Sequence, residues 1–149
     1  MHVVLKTVSK LLAGLQFGTA LEIKQLHTDE TSKRQIQVTN VVCQIIDKYH
    51  HAKLVCMTGD IIGANGTAEE QTRQIAQSFT HIGTLLEKWR LMTESMYAKD
   101  PELDTLLKLI PRKASMRLSR LLGVHLMTDT CNTARRVQSK LGESYMCTN

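Results

Sequence analysis

Apolar residues recur along the chain at intervals of three and four, the spacing of one helix face. Val4, Val8, Leu11 and Leu15 begin the pattern, and Leu5 and Leu12 widen it. A first helix is expected over about 3–26, weakened at Gly14 and Gly18. In "HTDETSKRQ" the texture turns polar, and Thr28 or Asp29 can cap a second helix. Its stripe is Val38, Val42, Ile45, Tyr49, Ala52 and Cys56, broadened by Val41, Ile46 and Val55. That pattern predicts a long helix over about 29–57, buried on more than one side.

"TGDIIGANGT" (58–67) interrupts the pattern, and Asn65-Gly66 is a turn signal. Thr67 followed by Glu70 reads as a capping box that opens the next helix. There Ile75, Phe79, Ile82, Leu86, Trp89, Thr93 and Met96 keep an unbroken 4-3 alternation, a heptad seam. A helix over 68–98 would be roughly 45 Å long, against a radius of gyration of about 15 Å for a compact chain of this size. It should span the whole domain or project beyond it. The seam suits either a bundle interior or an exposed coiled coil, the interior being the simpler reading.

Asp100-Pro101 reads as an N-cap with a first-turn proline, and "ELDTLLKLI" as a short helix stopped by Pro111. Residues 112–127 and about 130–141 are read as two more helices. No segment alternates as a strand should. The expectation is therefore a single all-α domain over residues 1–149, an antiparallel bundle of about five to six helices. Its two long helices are about 29–57 and 68–98, and a basic helical segment occupies about 105–141.

Composition agrees with a packed chain. The hydrophobic fraction is 42% and the charged fraction 22%, enough for a core and too balanced for wholesale disorder. Aromatics are 4%, so aliphatic side chains and Met must fill that core. Two prolines and eight glycines suit long helices. No apolar run approaches the length of about 18 residues that a membrane-spanning helix needs.

Charge changes the picture more. The net charge is +5, and from Thr105 onward eight basic residues face only Asp129 and Glu143. "PRKASMRLSRLLGVH" (111–125) is the densest stretch. On the expected helices Lys113, Arg117 and Arg120 share one face, and Arg136 and Lys140 share another. Arg112, Lys113, Arg117, Arg120, Arg135, Arg136 and Lys140 thus form a basic ridge. It can be a solvated face, a contact for RNA or DNA phosphates, or a contact for an acidic protein or membrane surface. Few aromatics accompany it, so base stacking is not advertised. "RKAS" places basic groups before Ser115, as basophilic kinases require, though short patterns of this kind recur by chance.

Catalytic chemistry is not advertised either. Cys43, Asp47, His50 and His51 fall within two turns of the expected second helix, but a structural zinc site wants four ligands from separated pairs. No metal or cofactor is expected. Nucleophile-elbow, zincin and phosphate-loop contexts are missing, and "NGT" (65–67) serves more simply as turn and cap than as a glycosylation acceptor. The N-terminal stretch lacks acidic residues, as transit peptides do, but it also lacks Arg and fits a core helix. Four cysteines without a C-x-x-C pair or a secretory leader point to free thiols in an intracellular, cytoplasmic or nuclear protein.

The resulting expectation is a non-catalytic α-helical interaction or regulatory protein. It would self-associate or dock on a partner protein through helical faces, with Ile75, Phe79, Ile82, Leu86, Trp89 and Met96 as the packing or oligomer seam. The alternative is an RNA- or DNA-binding regulator using the basic ridge of residues 112–140. No small-molecule substrate is evident.

Overall fold

The structure, a computed structural model, describes residues 2–33, 36–62, 67–97, 100–116, 125–128 and 132–144. Their order is α1 (His2–Thr19), β1 (Glu22–Lys33), β2 (Ile36–Ile46), β3 (Ala52–Ile62), α2 (Ala68–Tyr97), α3 (Pro101–Leu107), a 3₁₀ turn (Lys113–Met116), β4 (His125–Thr128) and α4 (Asn132–Ser144). β1, β2 and β3 form an antiparallel meander, and β4 joins β1 in parallel, giving the order β3-β2-β1-β4. This is an α+β arrangement. The all-α bundle expected from the spacing is overturned, and so is the helix expected over 29–57; of the helix expected over 112–127, Lys113–Met116 is a 3₁₀ turn and His125–Thr128 a strand, and 117–124 lie outside the described residues.

The physical reason lies mainly in strands that carry apolar residues on both faces, and two β-bulges add to it. β2 is rich in β-branched residues, which suit a pleated surface. Val41, Cys43 and Ile45 alternate inward and are fully buried. On β1, Ile23 pairs with Ile45 and Leu26 with Cys43, so Lys24 is an extra residue. That extra residue brings two apolar side chains three positions apart onto one sheet face, and the spacing imitates a helix. A second irregularity, at Met57, offsets β3 in the same way. Val42 and Ile46 lie half-buried on the opposite sheet face, so apolar residues occupy both faces and blur the two-residue period.

The turn between β2 and β3 carries no Gly or Pro. Asp47 N donates to His51 O and His50 N to Asp47 O, closing a tight hairpin. His50 adopts a φ of 63°, the left-handed position such turns usually give to glycine. Asp47 holds the turn from within. Its Oδ1 accepts from Tyr49 N and His51 N at 2.9 Å, and Lys53 Nζ lies 3.1 Å from Oδ2.

Among the described residues the core lies on one side of the sheet. Leu26, Val41, Cys43, Ile45, Val55 and Met57 pack with Phe17 of α1 and with Ile75, Phe79, Ile82 and Leu86 of α2. α1 rests against α2 and β3, while α4 rests against α2, β4 and β1. Phe17 meets Phe79, and Gly14 sits against Ile82 and Leu86, so α1 and α2 run antiparallel. Thr67 Oγ1 accepts from Glu70 N at 3.3 Å and opens α2. Glu70 does not complete the box; it pairs with Arg73, which holds its carboxyl below the usual range. Asp100 Oδ1 accepts from Glu102 N at 3.0 Å and caps α3.

Candidate docking surface

α2 divides the heptad seam in two. Ile75, Phe79, Ile82 and Leu86 are at most 1% exposed and belong to the intramolecular core. Trp89 and Met96 continue the same line but are 36% and 68% exposed, and Met92 beside them is 63% exposed. The helix outruns the body that covers its first half.

α1 has the same character. Its core contacts are made by Ala13, Gly14 and Phe17, with Leu11 and Leu15 partly buried beside them. Val4, Leu5, Val8 and Leu12, which spacing alone assigns to the core, are between 46% and 62% exposed. They recur at three- and four-residue intervals and so form one stripe. The overlooked signal is the row of small residues: Gly14 can lie where a larger side chain would collide with α2, and that close approach turns the leucine-rich side outward. Because the helices are antiparallel, the N-terminal half of α1 heads toward the C-terminal end of α2. α1 carries Lys6 and Lys10 and no acidic residue.

The basic residues are not gathered on one helical ridge. Arg112 and Lys113 stand at the 3₁₀ turn, exposed, beside Glu87 of α2. Glu87 accepts from Lys113 N, and this bond, with Arg90 and Arg112 nearby, keeps its carboxyl below the usual range. Arg135 and Arg136 are exposed on α4, while Lys140 pairs with Glu69 at 3.3 Å. Lys113 touches α2 at Gly83 and Lys140 touches it at Glu69. Those positions are roughly 21 Å apart along a helix. Arg117 and Arg120 lie outside the described residues.

Cys43, Asp47, His50 and His51 do not converge. Cys43 points into the core, where burial pushes its thiol up to about 12. Asp47 and the two histidines belong to the hairpin turn. Among the described residues no group of three His, Cys, Asp or Glu side chains could hold a metal ion. Cys43 and Cys56 are free thiols; Cys131 and Cys147 lie outside the described residues. Among the described residues no helix is long and apolar enough to cross a membrane. A cavity of about 410 Å³ opens between the projecting half of α2, α3 and residues 110–112. The sequence held no sign of it, because its walls come from three separate segments.

Comparison with protein-family models, curated proteins and solved structures finds no match.

Proposed function

We infer that this is a non-catalytic interaction protein that docks on a partner protein through its helical surface, with the outer stripe of α1 as the seat. One observation carries the reading: Val4, Leu5, Val8 and Leu12 stand exposed along one side of one helix. Burial of such a stripe against a partner is favourable by about 25 cal/mol per Å² of apolar area. Trp89, Met92 and Met96 supply adaptable, aromatic and thioether surface of the kind enriched at interfaces.

The stripe itself indicates the partner's chemistry: its complement is an amphipathic helix that presents a leucine face. Lys6 and Lys10 stand on the other side of α1 and do not flank the stripe. A second copy of the chain offers the same stripe, and light scattering at micromolar concentration separates self-association from a distinct partner. Free thiols at Cys43 and Cys56 fit a reducing, intracellular setting.

A labelled helical peptide with a leucine stripe tests this by fluorescence anisotropy. Leu5→Gln, Val8→Gln and Leu12→Gln together should weaken binding by about tenfold or more. The melting temperature should hold, because all three side chains already face solvent. Unchanged affinity in the triple variant removes α1 as the seat.

A second reading, contact with RNA or DNA, is supported by the exposure of Arg135 and Arg136 on α4. Binding of a labelled duplex should then fall steeply between low and physiological salt. It should vanish when Arg117, Arg120, Arg135 and Arg136 are replaced by Gln.

A further inference from the structure

Arg90 is largely withdrawn from solvent, with 22% of its side chain exposed, yet its donors are poorly used. One Nη lies 3.4 Å from Glu87 Oε2 and the other 4.0 Å from Glu94 Oε2. Charge-assisted bonds of this kind close at about 2.7–2.9 Å when geometry permits. Its Nε is buried and has no hydrogen-bond partner. Glu87 is held elsewhere, since its Oε1 accepts from Lys113 N at 3.3 Å. The planar fork of a guanidinium is therefore left with donor capacity facing weak partners.

Arg90 lines the cavity of about 410 Å³, together with Lys108 and Arg112. The opposing charges in the lining are Glu94 and Asp104, so cations prevail by three to two. Asp104 is already taken by Lys108 at 3.2 Å. Leu107, Ile110 and Pro111 supply an apolar wall, and Ile110 and Pro111 are buried. The volume falls within the range of about 300–1,000 Å³ usual for small-molecule sites, as does the pairing of apolar walls with a few polar groups.

We propose that this cavity binds a small organic oxyanion, a carboxylate or phosphate ester on an apolar body. Arg90 and Arg112 grip the anionic group, and Leu107, Ile110 and Pro111 cover the rest. The inference is independent of the docking surface on α1, which shares none of these residues.

Calorimetric titration of the full chain with phenyl phosphate, benzoate, inorganic phosphate and benzyl alcohol tests it. At least one of the two aromatic anions should bind, with inorganic phosphate and benzyl alcohol each weaker by about tenfold for want of one half of the recognition. Whichever aromatic anion binds identifies the headgroup. Arg112→Gln should weaken it by about tenfold with the melting temperature unchanged, since Arg112 is exposed. Arg90→Lys keeps the charge but loses the fork and should weaken it similarly. The proposal is overturned if neither aromatic anion binds up to about 10 mM, if benzyl alcohol or inorganic phosphate binds as well, or if Arg112→Gln leaves affinity unchanged.

Discussion

Phe17 of α1 and Phe79 of α2 meet edge to face, their ring centroids 5.5 Å apart and their planes at 75°. Both side chains are buried to within 1% of completely. This contact fixes α1 on α2 and so sets which side of α1 is left outside. Phe79→Ala should lower stability by about 3–5 kcal/mol, and Phe17→Leu by about 1.5 kcal/mol or less. Urea denaturation followed by far-ultraviolet dichroism measures both. A loss below about 1 kcal/mol for Phe79→Ala would mean that the rings do not anchor the helices.

Gly14 and Gly18 make the close approach possible on the same helix. A Cβ at Gly14 would stand 2.6 Å from Ile82 Cγ2 and 2.9 Å from Leu86 Cδ1. Alanine favours a helix over glycine by about 1 kcal/mol, which partly offsets the crowding. At Gly18 the obstacle is the ring of Pro111, which cannot swing aside. Gly18→Ala should therefore destabilise by about 1–3 kcal/mol, and Gly14→Ala by less. Thermal melts of the two variants give the order directly, and the reverse order would contradict the packing.

The hairpin turn predicts a pH effect. Bonds from His51 N, Lys53 and Tyr49 N hold the Asp47 carboxyl below its usual value of 3.8. A depressed folded pKa means the group stabilises the fold fully above its unfolded value and loses that contribution as pH falls through the folded one. The melting temperature of Asp47→Asn should therefore be lower than that of the native chain at neutral pH, with the gap narrowing below about pH 4. His50→Gly should act in the opposite sense and stabilise by about 1 kcal/mol, because only glycine tolerates a φ of 63° without strain.

The two free thiols of the sheet should differ sharply. Cys43 is buried and its thiol is pushed up to about 12, whereas Cys56 is exposed on the other face. In a chain with Cys131→Ser and Cys147→Ser, one thiol should react promptly with a disulfide reagent at neutral pH. The second should react only once denaturant is added. Equal rates would place Cys43 outside the core.

Helical elements were legible where local signals act alone. The Thr67 cap, the Asp100-Pro101 start and the inward line Ile75, Phe79, Ile82 and Leu86 stand in the structure as spacing and capping chemistry predict. The sheet was not, because Val42 and Ile46 on one face of β2 interleave with Val41, Cys43 and Ile45 on the other, so the apolar run carries no clear two-residue period. The turn at Asp47–His51 also lacks the glycine that would announce it. The docking stripe was hidden by a related ambiguity. Apolar spacing identifies a face of α1 but not its direction, and the small residues at Gly14 decide the direction through contacts with a helix far along the chain. The cavity depends on Arg90, Lys108 and Arg112 meeting from different segments, which no local pattern encodes.

The central claim, that the exposed stripe of α1 seats an amphipathic helix, is tested most directly by varying the apolar face on both sides of the contact. Two helical peptides of equal composition, one with its leucines on a single face and one with them scattered, are titrated into the native chain and into a chain with Leu5→Gln, Val8→Gln and Leu12→Gln. The native chain should prefer the striped peptide by about tenfold, and the triple variant should lose that preference. Indifference of the native chain to the stripe, or the same preference in both chains, would contradict the account.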